Sequence, residues 1–312
     1  MKVFLAPMEG VVDSYMRELL TRLGGYDYCV TEFIRVTQQR VPQKNLYRIC
    51  PELRSGGQTA SGVPVIVQLL GGDAETMAAT AYTAAQLGAP GIDINFGCPS
   101  KGVNRREGGA ILLREPERVR AIVAAVRQAV PAHIPVSAKI RLGYEDTSLA
   151  LDNALAVADA GAAFLTVHAR TRADGYRSPA RWEWLARIKA AVAIPVIANG
   201  DIRSVEDYWR CREISGCDDV MIGRGAICRP DLAWQIKQSQ QEKHAAVLDW
   251  QDVSGLVLRM GQQMALDIEN RHVGSRIKQW VAMLRQEHDE AASCFEQIRR
   301  LRNFSDMEKL LS

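Results

Sequence analysis

The sequence predicts an α/β fold, a (β/α)8 TIM barrel followed by a C-terminal helical bundle. Eight short β-branched runs alternate with helical runs rich in Ala, Leu and Arg, a pattern typical of a closed parallel barrel. After about residue 240 the strand pattern ends and helical periodicity continues. The 312 residues suffice for a barrel of roughly 250 residues with a small extra domain. We therefore predict a barrel over residues 1–240 and a helical domain over residues 241–312.

The predicted barrel elements follow one another in order along the chain. The strands are Val3–Ala6, Tyr28–Phe33, Val65–Leu69, Ile92–Asn95, Val136–Ile140, Leu165–His168, Val196–Ala198 and Asp219–Ile222. Helical runs follow most of them, among them Ala74–Leu87, Glu117–Ala129, Ala150–Ala160, Arg181–Val192 and Val205–Glu213. The connection from Arg35 to Val63 shows no clear periodicity, and long loops of this kind are usually functional or mobile.

Three helices are predicted in the tail, because apolar residues recur there at the i, i+3, i+4, i+7 spacing of a buried helix face. These residues are Val253, Leu256, Val257, Met260, Met264 and Ile268, then Ile277, Trp280, Val281 and Leu284, then Cys294, Ile298 and Leu301. On the second helix Lys278 and Arg285 share one flank of the apolar stripe, and Arg276 lies on the other. The helix can therefore pack by one face and present cations beside it.

Composition indicates an ordinary soluble globular protein, with 47% hydrophobic and 24% charged residues. No apolar run approaches the ~18–20 residues of a membrane span, and the N-terminal apolar stretch ends at Met8, too short for a signal peptide. We expect a cytoplasmic protein without membrane association. The seven cysteines are scattered and form no CxxC pair, which argues against disulfides and a zinc site. No separate apolar face is evident, so we expect a monomer.

Basic residues concentrate in two segments, although the net charge is only +3. Residues 35–54 hold five cations and one acid, and residues 271–285 hold four cations and no acid. Local basic fields of this kind attract polyanions such as nucleic acids. The alternative is a solvated surface that is neutralised by neighbours elsewhere in the fold.

The carboxyl ends of barrel strands and the loops that follow them build the active sites of this fold. The first strand ends in Ala6-Pro-Met-Glu-Gly10, whose backbone amides could meet a flat polar ring. The third carries Gln68, whose amide needs partners inside a barrel. The fourth ends at Asn95, before a glycine-rich loop that carries the thiol of Cys98, which Pro99 stiffens. A positioned acid beside a flexible, basic loop can present a proton to a bound ring.

The fifth and sixth strand ends carry cations and a histidine. Lys139 and Arg141 are two residues apart and share a strand face. Burying both without an anion is costly, which favours a bound ligand over a structural ion pair. His168 stands at the end of the sixth strand beside Arg170 and Arg172. It is a ligand candidate, with a structural role as the alternative.

The seventh and eighth strands end in two short glycine loops, Asn199-Gly-Asp201 and Gly223-Arg-Gly225. Phosphate-bearing ligands of such barrels commonly dock at this place. Glycines let backbone N–H groups reach a phosphate, and Arg224 adds charge. No GxGxxG motif follows the first strand, so a Rossmann nucleotide site is not expected.

Six motifs taken together resemble the flavin-dependent tRNA-dihydrouridine synthases over the whole chain. They are Leu5-Ala-Pro-Met-Glu-Gly10, Asn95-Phe-Gly-Cys-Pro-Ser100, Lys139-Ile-Arg141, His168-Ala-Arg-Thr-Arg172, Asn199-Gly-Asp-Ile202 and Gly223-Arg-Gly225. The Pro-Met-Glu-Gly start, the Ser-Lys-Gly-Val-Asn-Arg loop and the basic tail are similar to the bacterial C subfamily, which modifies uridine 16 in the D-loop. Each motif alone would be weak.

The resemblance implies FMN at the barrel mouth and NADPH as its reductant. Implied FMN contacts are Pro7, Met8 and Glu9 beside the isoalloxazine, Gln68 and Lys139 at its polar edge, and His168, Asn199, Gly200, Asp201, Gly223 and Arg224 at the ribityl phosphate. The resemblance further implies hydride transfer to C6 of uracil and proton donation to C5 by Cys98. A thiol with a reference pKa of ~8.5 suits this task.

The resemblance also implies that a flipped uridine of tRNA enters the barrel, with the helical domain binding RNA. Asn95 and Arg141 would read the uracil edge, and Tyr176 would line the pocket or touch RNA. Candidates for contacts to the RNA backbone are Arg35, Arg271, Arg276, Lys278 and Arg285. Two alternatives stay open: a small-molecule FMN reductase of the dihydroorotate or enoate type, and a non-catalytic RNA-binding protein that kept the barrel.

Overall fold

A computed structural model describes residues 1–242 and 247–311, and its centre is a closed barrel of eight parallel strands. The strands are β1 Val3–Leu5, β2 Tyr28–Val30, β3 Ile34–Arg35, β4 Val65–Leu70, β5 Ile92–Phe96, β6 Val136–Arg141, β7 Phe164–His168, β8 Val196–Asn199 and β9 Val220–Ile222. The order β2-β1-β9-β8-β7-β6-β5-β4 closes through pairing of β2 with β4, and the short β3 adds to the end of β4. The predicted TIM barrel is confirmed.

Helices surround the barrel and make up most of the described part of the tail. They are α1 Ser14–Leu23, α2 Gln43–Ile49, α3 Ala74–Gln86, α4 Lys101–Asn104, α5 Pro116–Ala129, α6 Ala150–Asp159, α7 Trp182–Ala191, α8 Val205–Ser215, α9 Arg224–Cys228, α10 Leu232–Ser239, α11 Trp250–Met264, α12 Asn270–Leu284, α13 Asp289–Ile298 and α14 Phe304–Leu311. None of these helices is long and apolar enough to cross a membrane.

The barrel interior changes from apolar to polar along the strand direction. At the amino ends of the strands, Phe4 stacks on Tyr28 with ring centroids 5.0 Å apart and contacts Phe164 at 5.5 Å. Because alternate residues of a strand point inward, the next inward layers hold the polar Asp93, Ser137 and other side chains that lead to the mouth. The apolar layer closes the bottom of the barrel and leaves the site at the carboxyl ends.

One local prediction for the barrel was wrong. The predicted strand 28–33 ends at Val30, and β3 follows as a separate element. The connection 35–63, which shows no clear periodicity in the sequence, contains α2 and a 3-10 helix over Pro51–Ser55. The 3-10 helix is anchored by Glu52, which forms a buried ion pair with Arg17 at 2.8 Å. Elements this short show no periodic pattern in the sequence.

The described residues of the tail form four helices, where three were predicted, because the last helix α14 is only eight residues long. The tail packs directly on the barrel. Trp280 Nε1 donates to the carbonyl of Ile227 at 3.0 Å, and Arg276 Nε donates to Asp13 Oδ2 at 3.0 Å. The predicted boundary at residue 240 stays a prediction, and residues 243–246 of the predicted helical domain lie outside the described residues.

Candidate active site

A cavity of about 590 Å³ opens at the carboxyl ends of the barrel strands. Its wall includes the following residues of the predicted site: Pro7, Met8, Glu9, Asn95, Cys98, Lys139, Arg141, His168, Tyr176, Asn199, Gly200, Asp201, Gly223 and Arg224. Gln68 and the predicted RNA-contact residues are not part of this wall. The structure therefore brings together, from distant parts of the sequence, almost all the side chains assigned to cofactor and base.

The loop after β5 is held rigidly by two asparagines. Asn95 Oδ1 accepts the backbone N–H of Gly97 at 2.9 Å and that of Cys98 at 3.0 Å. Asn104 Nδ2 donates to the Cys98 carbonyl at 3.1 Å. Gly109 has φ +69°, and a Cβ there would lie 2.9 Å from the same carbonyl. The backbone of Cys98 is thus fixed from both sides.

The thiol of Cys98 is 9% exposed and faces the cavity. Burial raises its pKa above the ordinary cysteine value, Glu9 adds to this, and Arg141 and Arg35 oppose it. The thiol therefore carries its proton at neutral pH. It is a potential proton donor and a poor nucleophile.

A buried chain of hydrogen bonds supports Asn95 from below. Asn95 Nδ2 donates to Gln68 Oε1 at 2.8 Å, Gln68 Nε2 donates to Asp93 Oδ2 at 2.7 Å, and Ser137 Oγ donates to Asp93 Oδ1 at 2.6 Å. Gln68 has no exposed surface. Both ends of its amide are used within the barrel, so the structure places it behind Asn95 and not in the wall. Its contact with a flavin stays a prediction.

Lys139 is a cation of the site whose pKa is strongly lowered. Its Nζ donates to Asn199 Oδ1 at 2.9 Å. Burial, followed by the nearby Arg141, lowers the pKa of Lys139 to about 7, and Asp93 only partly opposes this. An amine in this state gains from any anionic or strongly accepting ligand that enters the cavity.

His168 is held by an arginine that lies behind the cavity wall. Arg170 is 1% exposed, and its Nη1 lies 3.2 Å from His168 Nε2. Since a guanidinium only donates, Nε2 must accept, and the His168 proton sits on Nδ1. Burial, with Arg141 and other cations, lowers the pKa of His168 well below its usual value. His168 is therefore a neutral donor.

Arg170 also orients Asp201. Its Nη2 donates to Asp201 Oδ2 at 2.5 Å, and the backbone N–H of Ala180 donates to the same oxygen at 2.8 Å. The other oxygen, Oδ1, is buried without a hydrogen-bond partner, and Arg224 Nη2 lies 3.7 Å away. Buried polar atoms are normally hydrogen-bonded, so this oxygen indicates a place where a ligand donates a hydrogen bond.

Tyr176 stands at the mouth of the cavity with 56% of its surface exposed. The guanidinium of Arg141 lies 5.4 Å from its ring centroid and that of Arg224 lies 5.2 Å away. Arg141 also donates to the carbonyls of Gly97 and Gly175, at 2.8 and 2.9 Å. The Tyr176 ring therefore contacts the guanidinium groups of Arg141 and Arg224 at the mouth of the cavity.

The predicted RNA-contact residues of the tail all have partners within the protein. Arg271 pairs with Glu269 at 2.9 Å. Lys278 Nζ donates to the Leu301 carbonyl at 2.8 Å, and Arg285 lies over the Phe295 ring at 4.3 Å. Arg276 is 12% exposed and tied to the barrel through Asp13. Their contacts with RNA stay predictions.

Sequence reasoning did not identify several residues of the site. Phe33, Arg203 and Met283 line the cavity, while Arg170 and Asn104 position residues of its wall. Arg170 lies within the motif that starts at His168, and the strand-end pattern could have revealed it. Met283 reaches the cavity only because α12 packs on the barrel, and no local signal marks it.

Comparisons with known proteins agree with this geometry. The family described as "Dihydrouridine synthase (Dus)" matches residues 4–310. A protein of Pseudomonas putida named tRNA-dihydrouridine(16) synthase is 48% identical over 311 residues, which is 100% of this chain and 96% of that protein. One of the same name from Neisseria meningitidis serogroup A is 47% identical over 100% of this chain and 94% of that protein.

Solved structures give the fold alone. An old yellow enzyme homologue from Zymomonas mobilis aligns with a TM-score of 0.55 at 13% identity, over 79% of this chain and 90% of that chain. Histamine dehydrogenase from Rhizobium sp. 4-9 aligns with a TM-score of 0.57 at 14% identity, over 84% of this chain and 48% of that chain.

Proposed function

The chain belongs to the dihydrouridine synthase family, and from this premise we propose that it reduces uridine 16 in the D-loop of tRNA to 5,6-dihydrouridine, with FMN as cofactor and NADPH as reductant. The relatives that are named for uridine 16 match the chain over its full length. The observation that carries the proposal is the buried, protonated Cys98 in the wall of the 590 Å³ cavity at the strand ends.

The cavity has the partners that FMN needs. Lys139 offers a buried amine without a contacting carboxylate among the described residues, His168 offers a neutral Nδ1 donor, and the backbone at Gly200 and Gly223 leaves room for a phosphate. The unpartnered Asp201 Oδ1 fits a hydroxyl donor of the ribityl chain. FMN, when bound, supplies the hydride chemistry. The protein binds it and sets the local charge.

The protein's own part in the reduction is the delivery of a proton. We assign this step to Cys98, whose Sγ gives its proton to C5 of the flipped uracil. Burial keeps the thiol protonated until that moment. Asn95 fixes the backbone of Cys98, and Arg141 lies close enough to stabilise the thiolate that remains.

Mapping of reduced uridines in tRNA, with and without the gene, tests the function. We expect dihydrouridine at position 16 to disappear on deletion and to return on complementation. The purified protein should be yellow, with flavin absorbance at about 450 nm. Unchanged dihydrouridine at every D-loop position would exclude the function. Loss at another D-loop position would keep the reaction and change the assigned uridine.

We further propose a cytoplasmic monomer. The apolar faces of α11 and α12 are used within the tail and against the barrel, as the buried Trp280 and Ile277 illustrate. Light scattering coupled to gel filtration should give the mass of one chain, 34.5 kDa, and a doubled mass would contradict the monomer.

A further inference from the structure

A second hollow lies on the α2 side of the cavity at the strand ends, which we call the catalytic cavity. We call it the flanking hollow, and it has a volume of about 520 Å³. Its wall includes Glu32, Phe33, Arg35, Asn45, Arg48 and Ser100. It shares Glu9, Phe33 and Ser100 with the catalytic cavity. The two spaces therefore meet at a common wall beside Cys98.

We propose that the flanking hollow binds the nucleotide that is covalently next to the flipped uridine, so that the RNA strand crosses the barrel on the side of β3 and α2. This inference rests on the proposed function. A flipped uridine stays joined to both neighbours by phosphodiesters, so one neighbour must lie just outside the mouth. The hollow that shares a wall with the cavity provides that space.

The chemistry of the flanking hollow suits a single-stranded nucleotide. Phe33 is partly buried and packs against the apolar cluster that contains Cys98, and such aromatic rings stack on unpaired bases. The side chains of Asn45 and Arg48 have no intramolecular partner among the residues described. Arg35 makes one hydrogen bond, to the Gly102 carbonyl at 3.3 Å. Donors and cations are thus available to an incoming nucleotide.

The two signs of charge in the flanking hollow orient that nucleotide. Glu32 accepts one backbone N–H at 2.5 Å through one carboxylate oxygen, and its acidic group, with that of Glu9 in the same wall, would repel a phosphate. We assign the base to the side of Glu32 and Asn45, where acceptors and an amide can meet its edge. The phosphate then lies toward Arg48 and Arg35.

The intramolecular contacts of the tail cations support this path for the RNA strand. Arg276, Lys278 and Arg285 are engaged with the barrel, a carbonyl and an aromatic ring. Arg48 borders the flanking hollow and has no side-chain partner among the described residues, so it is more available than these three cations of the tail. Binding of the RNA strand should therefore depend more on the residues beside α2 than the basic sequence of the tail suggests.

The double variant Asn45→Ala, Arg48→Ala tests the inference in the full-length FMN-loaded enzyme. We expect kcat/KM for tRNA to fall about tenfold or more, as loss of a charge-assisted contact implies. The slope of log affinity against log salt should shrink by about 1. The KM for NADPH and the rate of flavin reduction should not change. Arg187→Ala, on α7 away from both hollows, is the matched control.

A crosslinking experiment locates the neighbour directly. Transcripts carrying 4-thiouridine on either side of the target uridine are irradiated with the FMN-loaded enzyme. We expect crosslinks within residues 32–48. Crosslinks confined to residues 270–285, or tRNA kinetics of the double variant equal to those of the unmodified enzyme, would overturn the inference.

Two further outcomes separate the competing interpretations. A raised KM for NADPH in the double variant, with tRNA kinetics intact, would assign the flanking hollow to the reductant and overturn the inference. Failure of the unmodified enzyme to form any dihydrouridine in the same transcript would overturn the proposed function itself, and the inference with it.

Discussion

Burial of the Cys98 thiol has a direct consequence at the scale of a single residue. Because its raised pKa keeps the proton in place, Cys98→Ala should remove proton donation and nothing else. We expect dihydrouridine formation to fall by ~10²–10⁴-fold, with FMN and tRNA affinity retained. Single-turnover kinetics on a tRNA transcript measures this. Near-normal turnover would remove Cys98 from the mechanism.

Lys139 links cofactor binding to pH. Its pKa is about 7 in the folded protein and about 10.5 in the unfolded chain, so between these values the unfolded chain binds more protons. Stability of the flavin-free protein therefore rises with pH through that window, and the full penalty of the buried ammonium is present below pH 7. FMN should relieve this penalty by accepting from the amine.

Lys139→Met tests this linkage. The flavin-free variant should melt at a higher temperature than the flavin-free wild type at pH 6, and the difference should shrink toward pH 10. FMN affinity should fall at least about tenfold, because a hydrogen bond from a charged group is lost. Thermal melts across pH, with flavin titration by fluorescence, provide the data. A pH-independent difference in melting temperature would contradict the assigned cause.

At the scale of elements, the close packing of α11 against the start of α14 depends on one glycine. A Cβ on Gly261 would lie 2.2 Å from the Phe304 ring, whereas a Cβ on Gly255 in the same helix would meet only the tip of Arg259 at 3.7 Å. The two helices can approach this closely only because position 261 has no side chain.

The two glycines predict opposite effects of the same substitution. Gly261→Ala should lower the free energy of unfolding by ~1–3 kcal/mol through overpacking. Gly255→Ala should raise it by up to ~1 kcal/mol through helix propensity. Urea denaturation of both variants, followed by circular dichroism, checks the pair. Equal effects of the two substitutions would mean that the α11–α14 contact is not this tight.

The elements also show which features the sequence reveals. Strands such as β5 and β6 are buried on both faces and stand out as apolar runs, so the barrel and its strand-end residues could be predicted. The two-residue β3 and the seven-residue α2 are too short for a periodic signal. Their positions depend on tertiary contacts, among them the buried Arg17–Glu52 pair.

At the scale of the whole molecule, the tail contributes to the wall of the candidate active site. Met283 of α12 lines the cavity, and Arg276 holds Asp13, in the loop that follows Met8 and Glu9. Sequence could predict Cys98 and Lys139 from strand ends, because local order fixes them. It could not predict Met283, because the docking of distant helices decides which tail residue reaches the cavity.

Removal of the tail therefore tests more than RNA binding. A chain that ends at residue 240 should lose FMN as well as tRNA affinity, because it lacks the Met283 wall. In case the shortened chain does not fold, Met283→Asp in the full chain should lower FMN affinity while keeping the circular dichroism spectrum. Flavin fluorescence titration measures both variants. A shortened barrel that stays yellow with undiminished affinity would make the tail independent of the cofactor.

The place of Met283 near the end of the chain has a consequence for biosynthesis. A ribosome releases the strands of the barrel well before it completes α12. The nascent barrel would have an open side, so it should acquire its yellow pigment only after α12 has left the ribosome. A stop codon that removes Met283 should then yield colourless protein.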